Sequence, residues 1–87
     1  MAAEDIKRHK FCGKVHDIDI DSFFGYCESP FPKRPTLYID WYHLSDEHAM
    51  EISIHEALHA CNWNKSEEVV AQTAKDIARF LWRLGYR

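Results

Sequence analysis

Residues 45–85 read SDEHAMEISIHEALHACNWNKSEEVVAQTAKDIARFLWRLG and predict two consecutive helices joined by a short turn. Ser45 is a typical N-cap residue, and the acidic Asp46 and Glu47 follow it where the helix dipole favours negative charge. Apolar and polar residues then alternate without a proline or glycine. We therefore expect the first helix to run from about Asp46 to Asn62.

The second helix is predicted to begin after the turn at residues 62–65. Either Asn64 or Ser66 can serve as its N-cap, and Gly85 is the residue type that commonly ends a helix in a left-handed conformation. The helix should therefore extend to about Leu84. Its apolar stripe is expected to face the first helix and comprises Val70, Ala74, Ile77, Leu81 and Leu84.

The residues upstream of these helices show the patterns of strands and loops. Residues 36–42 alternate apolar and polar side chains and predict the clearest strand, and residues 16–21 alternate in the same way. The aromatic segment 22–27 contains Gly25 and predicts either a bend or a short strand. All three prolines fall in residues 28–35, which predicts an extended loop.

This order of elements predicts an α+β fold, with a small antiparallel β-sheet or hairpin followed by two packed helices. The length of 87 residues suits a single domain over 1–87, and the charged residues 1–10 are expected to form a flexible arm. A chain this short buries only about 60% of the surface that its unfolded form exposes. A domain of this size often needs a disulfide, a metal or a partner chain for stability.

Composition excludes several classes of protein. The net charge of −3 provides no basic field for nucleic acid, and no apolar run approaches the ~20 residues of a membrane span. The N-terminal residues lack the apolar segment of a signal peptide. The three cysteines form no closely spaced pair, which favours a reducing cytoplasm over a secreted disulfide framework. Metal binding or oligomerisation therefore remains as the source of extra stability.

The sequence His55-Glu56-Ala57-Leu58-His59 lies inside the first predicted helix and has the pattern H-E-x-x-H. Residues four apart share one helix face, so the two imidazoles can converge on one metal ion. Glu56 can then act as the general base for a zinc-bound water, whose pKa the metal lowers to roughly 7. This motif predicts a zinc site with Glu56 as the catalytic residue.

A site with two histidines needs a third protein ligand. The metzincin pattern requires Gly at position 62 and His at position 65, but the sequence has Asn62 and Lys65. A carboxylate from the second helix is the alternative, and both Glu67 and Glu68 are candidates. Helical phase favours Glu67, because it lies on the same stripe as Val70; Glu68 remains the alternative ligand.

Four further residues are candidates for supporting roles around such a site. Tyr38 and Tyr42 of the predicted strand could donate a hydrogen bond to a developing oxyanion. His48 and Glu51 precede His55 on the first helix and could orient its imidazole. The strand that carries the two tyrosines, if it lies at a sheet edge, could also pair with an extended peptide.

Residues 30–87 resemble a group of small predicted zinc metallopeptidases that are zincin-like, of the gluzincin type, and often encoded by phages or prophages. The resemblance rests on the proline-rich loop, the strand at 36–40, the segment 54–60 with its H-E-x-x-H element, SEEVV at 66–70 and FLWRLGYR at 80–87. It implies a zinc ion held by His55, His59 and a glutamate of the next helix, with Glu56 as base. It implies little about the substrate.

Two functions follow as expectations. The first is a zinc-dependent hydrolase, most simply a metallopeptidase that acts on a peptide or protein in the cytoplasm of a bacterial host. The second is a zinc-stabilised binding module without catalysis, for example a phage factor that binds or inhibits a host protein. Neither involves nucleic acid or a membrane. A dimer is conceivable if the aromatic side chains near the helix ends are exposed, namely Trp63, Trp82 and Tyr86.

Overall fold

The computed structural model describes residues 6–42 and 44–86. Four strands precede two helices, which confirms the predicted α+β class. The strands are β1 (Arg8–Phe11), β2 (Lys14–Asp19), β3 (Asp21–Cys27) and β4 (Thr36–Asp40), and the helices are α1 (Asp46–Cys61) and α2 (Glu67–Leu84).

The four strands form one mixed sheet in the order β1-β2-β4-β3. β1 and β3 lie antiparallel to their neighbours, but β2 and β4 run parallel, with Ile18 opposite Leu37. The sheet is therefore mixed and not purely antiparallel as predicted. Only Ile20 separates β2 from β3, which is too short for a two-residue hairpin turn between adjacent strands. The proline-rich loop instead returns the chain so that β4 pairs between them.

β1 uses residues that the composition assigned to a flexible arm. Residues 8–10 pair with β2, and their side chains are exposed. Cys12 and Gly13 form the tight connection between β1 and β2, with positive φ values of 47° and 83°. Hairpin pairing with β2 thus orders a polar segment that has no apolar alternation of its own. Residues 1–5 of the predicted arm lie outside the described residues.

Helix α1 lies between the sheet and α2, so the fold has three layers. Leu37 of the sheet and Ala49 of α1 are buried on one side of this arrangement, and Val70, Ala74 and Ala78 of α2 are buried on the other. Small alanine side chains allow the two helix backbones to approach closely. The buried stripe of α2 therefore follows residues 70, 74 and 78, whereas the predicted stripe members Ile77 and Leu84 are exposed.

Side-chain and backbone caps define the ends of both helices. The Ser45 hydroxyl accepts a hydrogen bond from the backbone of His48, and Ser66, rather than Asn64, caps α2 by accepting from Val69. Gly85 ends α2 with a φ of 97°, as its lack of a Cβ permits. In the part of the chain described, neither helix combines the length and apolar character needed to cross a bilayer.

Candidate metal centre

The two histidines of α1 and the first residue of α2 meet in one cluster. His55 Nε2 lies 2.8 Å from Glu67 Oε1, and His59 Nε2 lies 2.7 Å from Glu67 Oε2. The imidazole rings stack edge to face with centroids 5.0 Å apart, as expected for residues one helical turn apart. Both Nε2 atoms therefore point at the same carboxylate from adjacent turns of one helix.

The short turn between the helices brings Glu67 to this position. The turn is closed by a backbone hydrogen bond from Lys65 to Asn62, and Ser66 then caps α2. Glu67 thus begins the helix beside the last turn of α1. Glu68 is exposed and is not part of the cluster. The structure therefore brings Glu67, the residue that helical phase favoured, to the histidines.

The cluster has the donor set and the dimensions of a zinc site. One ligand atom from each of His55, His59 and Glu67 can be chosen so that all three lie within 4.8 Å of one another. Zinc, with ligand bonds of about 2.0–2.2 Å, needs donors roughly 3.3 Å apart, so a small adjustment of side chains is sufficient. Two imidazoles and one carboxylate form the protein ligand set of many catalytic zinc sites. These residues therefore fit the metal.

Electrostatics keeps the Glu67 carboxyl ionised. Partial desolvation acts to raise its pKa, but hydrogen bonds to His59 and His55 and the charges of both rings outweigh that effect and lower it. A metal ligand must be deprotonated, so the lowered pKa favours the form of Glu67 that can bind a cation. The side chain is 68% exposed, and an entering ion therefore has access from solvent.

Glu56 lies on the sheet side of α1 and is only 6% exposed. Burial raises the pKa of its carboxyl, and this effect exceeds the lowering influence of the charges on His55 and His59. A carboxylate with a raised pKa is a better general base near neutral pH than an ordinary glutamate. The arrangement thus places a poised proton acceptor next to the candidate metal ligands.

Gly25 of β3 makes room for the Glu56 side chain. A Cβ atom at this position would lie 2.7 Å from Ile52 Cγ2 and 2.9 Å from Glu56 Oε2. These distances are too short for any side chain at position 25. Gly25 therefore permits the close approach of α1 to the sheet at the point where Glu56 is buried.

We expect Gly25→Ala to lower the free energy of unfolding by about 1–3 kcal/mol, the usual range for overpacking. Ile52 is β-branched and has little rotamer freedom in a helix, so it cannot move aside easily. Chemical denaturation monitored by circular dichroism measures the change. The double variant Gly25→Ala, Ile52→Ala removes the Cγ2 atom that the new Cβ would meet, so its stability relative to Ile52→Ala alone isolates the steric overlap. Equal stability of Gly25→Ala and wild type would contradict the close approach.

We expect metal-free Glu56→Gln to be more stable than metal-free wild type at pH 7 by about 1 kcal/mol, or ~4–8 °C in Tm. The folded state raises the pKa of Glu56 above its ordinary value of 4.5, so folding favours the protonated form. The free energy of unfolding of the wild type therefore falls as pH rises from about 4 through the raised pKa. The Glu56→Gln variant has no carboxyl group at this position, so its stability does not fall for this reason.

Thermal melts at pH 4 and pH 7 measure this difference. Glu68→Gln, at an exposed position, is the matched control and should show no such dependence. An advantage of Glu56→Gln that persists undiminished at pH 4 would assign the effect to packing instead of charge.

A cleft of about 450 Å³ opens beside the three candidate metal ligands and Glu56. One side is α1 and the turn after it, and the other side is the edge strand β3. Trp63 stacks edge to face on His59 with ring centroids 6.2 Å apart. The residues lining the cleft are Gly25, Tyr26, Cys27, His55, Glu56, His59, Trp63, Lys65 and Glu67.

The backbone of β3 is available for pairing along this cleft. The Glu28 amide donates to the Thr36 carbonyl of β4, so the alternation of an antiparallel ladder directs the backbone groups of Cys27 away from β4. In the described part of the chain, no strand pairs with this edge.

Burial and the nearby carboxylates of Glu56 and Glu28 raise the pKa of the Cys27 thiol to about 11. Cys27 is therefore a neutral side chain in the cleft wall.

The other predicted supporting residues lie elsewhere. Tyr38 stacks with Phe24 and Tyr26 on the sheet face opposite α1, and Tyr42 is 55% exposed beyond the end of β4. His48 is exposed in the first turn of α1, and Glu51 is not among the residues that line the cleft. The strand predicted as a possible edge, β4, lies inside the sheet, and β3 is the edge beside the centre.

Sequence reasoning did not identify several residues of the cleft wall. The sequence places Trp63 and Lys65 in the interhelical turn and offers Trp63 only as a possible dimer contact; their position beside the histidines depends on how the helices pack. Gly25 carried a usable signal, since a glycine inside an aromatic strand segment often marks a close backbone approach. Comparisons with known proteins find no matching family model, no matching curated protein and no matching solved structure.

Proposed function

We propose that this protein is a zinc-dependent hydrolase and, in its simplest form, a metallopeptidase. The observation that carries the proposal is the convergence of His55, His59 and Glu67 beside the buried Glu56 in one open cleft. The resemblance of residues 30–87 to small zincin-like metallopeptidases, including those of phages, agrees with this donor set. The proposal covers the ligands and the base, and it leaves the substrate sequence open.

Each of these residues has a defined role in the proposed reaction. His55, His59 and Glu67 hold the ion between α1 and α2. When bound, zinc acts as a Lewis acid that polarises a carbonyl and lowers the pKa of coordinated water to roughly 7. Glu56 accepts a proton from the attacking water and transfers it to the leaving amine. The buried position of Glu56 keeps its basicity above that of a surface glutamate.

The edge strand supports a peptide as the substrate class. Cys27 directs its backbone groups toward the cleft, and an extended peptide can add to such an edge as a further strand. The peptide bond to be cleaved would then lie between β3 and the histidines of α1. A polar cleft that opens along a strand edge suits an extended chain better than a compact small molecule.

A second candidate is a zinc-stabilised binding module without catalysis. One observation favours it: two ligands come from α1 and one from α2, so an ion would join two helices of a small domain. Structural zinc contributes roughly 10 kcal/mol or more to the folding of small domains. In this case the ion is a structural element, and a host protein would be bound by another surface. We propose a reducing, cytoplasmic setting for both candidates, in keeping with the free cysteines.

The peptidase proposal is tested with zinc-loaded wild-type protein and a fluorescein-labelled unfolded protein as substrate. We expect release of labelled peptides that stops when a chelator removes zinc and returns when zinc is restored. Elemental analysis should find one zinc ion per chain. Zinc binding without any hydrolysis would favour the binding module, and absence of zinc binding would contradict both candidates.

A further inference from the structure

Three aromatic rings form a cluster on the sheet face that α1 leaves uncovered. Phe24 and Tyr26 of β3 lie with ring centroids 5.5 Å and 6.2 Å from Tyr38 of β4, and 6.5 Å from each other. Phe24 is 56% exposed and Tyr26 is 52% exposed. We call these three residues the aromatic platform. Exposed apolar surfaces of this kind commonly mark interaction sites.

The aromatic platform lies on the same edge strand as the candidate metal centre but on its other face. Gly25 and Cys27 point toward α1, where Gly25 approaches Glu56 and Cys27 is buried. The register of β3 against β4 is irregular between Asp21 and Tyr26, but Phe24 and Tyr26 are both exposed and both contact Tyr38 on the outward face. From residue 24 to residue 27 the side chains therefore alternate between the two faces of the sheet. Tyr26 also borders the cleft, so the platform and the cleft are continuous along one strand.

This alternation determines what a peptide paired with β3 would contact. Side chains of the added strand would also alternate, with one set toward the metal centre and the other beside the platform. Cross-strand neighbours on one face have Cβ atoms about 4.5–5.5 Å apart, close enough for aromatic and apolar pairs. Two outward side chains, two residues apart in the peptide, would therefore lie beside Phe24 and Tyr26.

We propose that the aromatic platform is a specificity site that selects extended peptides with aromatic or large apolar residues at two alternate positions. The inference rests on the proposed function, because it takes the peptide to lie along β3 beside the metal centre. The platform side chains are uncharged and aromatic, so the matching peptide side chains are apolar. The net charge of −3 makes a nucleic acid a poor occupant of the same surface.

The test compares two fluorescein-labelled octapeptides of identical composition. One carries two Phe residues at positions i and i+2, and the other carries them at i and i+1, where only one can face the platform. Binding is measured by fluorescence anisotropy to zinc-supplemented Glu56→Gln protein, which cannot degrade the peptides. We expect the i, i+2 peptide to bind about fivefold more tightly, the upper range for one aromatic cross-strand pair.

Variants assign this preference to the platform. In the Glu56→Gln background, the double variant Phe24→Thr, Tyr26→Thr keeps strand-forming residues and should bind both peptides equally. Phe31→Thr changes a ring that is 85% exposed in the proline-rich loop and should retain the fivefold preference. Retention of the preference by the double variant would overturn the proposal. If the double variant fails to fold, the affinities of the Glu56→Gln parent for the i, i+2 and the i, i+1 peptides still test the proposal.

The other outcomes separate this inference from the proposed function. Equal affinity of the parent for both peptides, or self-association through the platform in sedimentation experiments, would overturn the inference. Hydrolysis by wild type without a spacing preference would reject the platform alone. A spacing preference without any hydrolysis would reject the peptidase and keep the platform as a peptide-binding surface.

Discussion

We expect Glu56→Gln to lower kcat for peptide hydrolysis by a factor of about 10²–10⁴, which is the usual contribution of general acid–base catalysis. Gln has the same shape but cannot accept the proton of the attacking water. Glu56 is not one of the three residues in the metal cluster, so zinc should remain bound with unchanged stoichiometry. The measurement is kcat on a fluorogenic peptide, with zinc content determined on the same sample.

Glu47→Gln provides the matched control for this change. Glu47 lies on the same helix, 3.6 Å from Arg79 in an exposed ion pair, and such pairs contribute little to stability. We expect normal hydrolysis from this variant. Full activity of Glu56→Gln would contradict the peptidase and leave the binding module as the better account. A loss of zinc from Glu56→Gln would show that the carboxylate supports the site itself.

We expect His59→Ala to weaken zinc binding by more than about 100-fold, because loss of residues that merely support metal ligands already costs 10–100-fold. His59 supplies one of three protein ligand atoms in the cluster. Isothermal titration with zinc measures the change. Zinc at 100 times its Kd should stabilise the wild type by about 2.7 kcal/mol. The variant should therefore show little or no rise in Tm when zinc is added.

Two pairs of variants make this result specific. His48→Ala changes an exposed histidine in the first turn of α1 and should bind zinc normally. Glu67→Gln and Glu68→Gln differ by one position, and only Glu67→Gln should weaken zinc binding. Tight zinc binding by His59→Ala would reject the cluster as the metal site. Equal losses in the two glutamate variants would reject the assignment of the third ligand.

The local features of the helices were predictable from the sequence. Ser45, Gly85 and the acidic first turn of α1 follow from capping rules that involve only neighbouring residues. The sheet was less predictable, because strand order depends on contacts between distant segments. β1 has no apolar alternation and becomes a strand only through pairing with β2. The parallel pairing of β2 with β4 likewise depends on the path of the proline-rich loop.

The stripe of α2 shows where periodicity is insufficient. Ile77 and Leu84 match the apolar pattern, yet both are exposed, whereas Ala78 is buried against α1. Because the two helix backbones lie close together, only small side chains such as alanine fit between them. The larger apolar side chains of Ile77 and Leu84 therefore lie outside the helix–helix contact. A hydrophobicity pattern records the polarity of a side chain but not the distance between two backbones.

For the candidate metal centre, the sequence by itself determined that His55 and His59 share one helix face with Glu56 beside them, because helical spacing is a local property. The tertiary structure decided which glutamate joins them, since the turn after α1 brings Glu67 within 2.8 Å of both imidazoles. It also decided that Gly25 makes room for the buried Glu56 and that β3 forms the open edge. The choice of glutamate depends on how the turn at residues 62–65 places α2 against α1. The position of Gly25 and the open edge of β3 depend on packing between segments far apart in the chain, which a local sequence pattern does not encode.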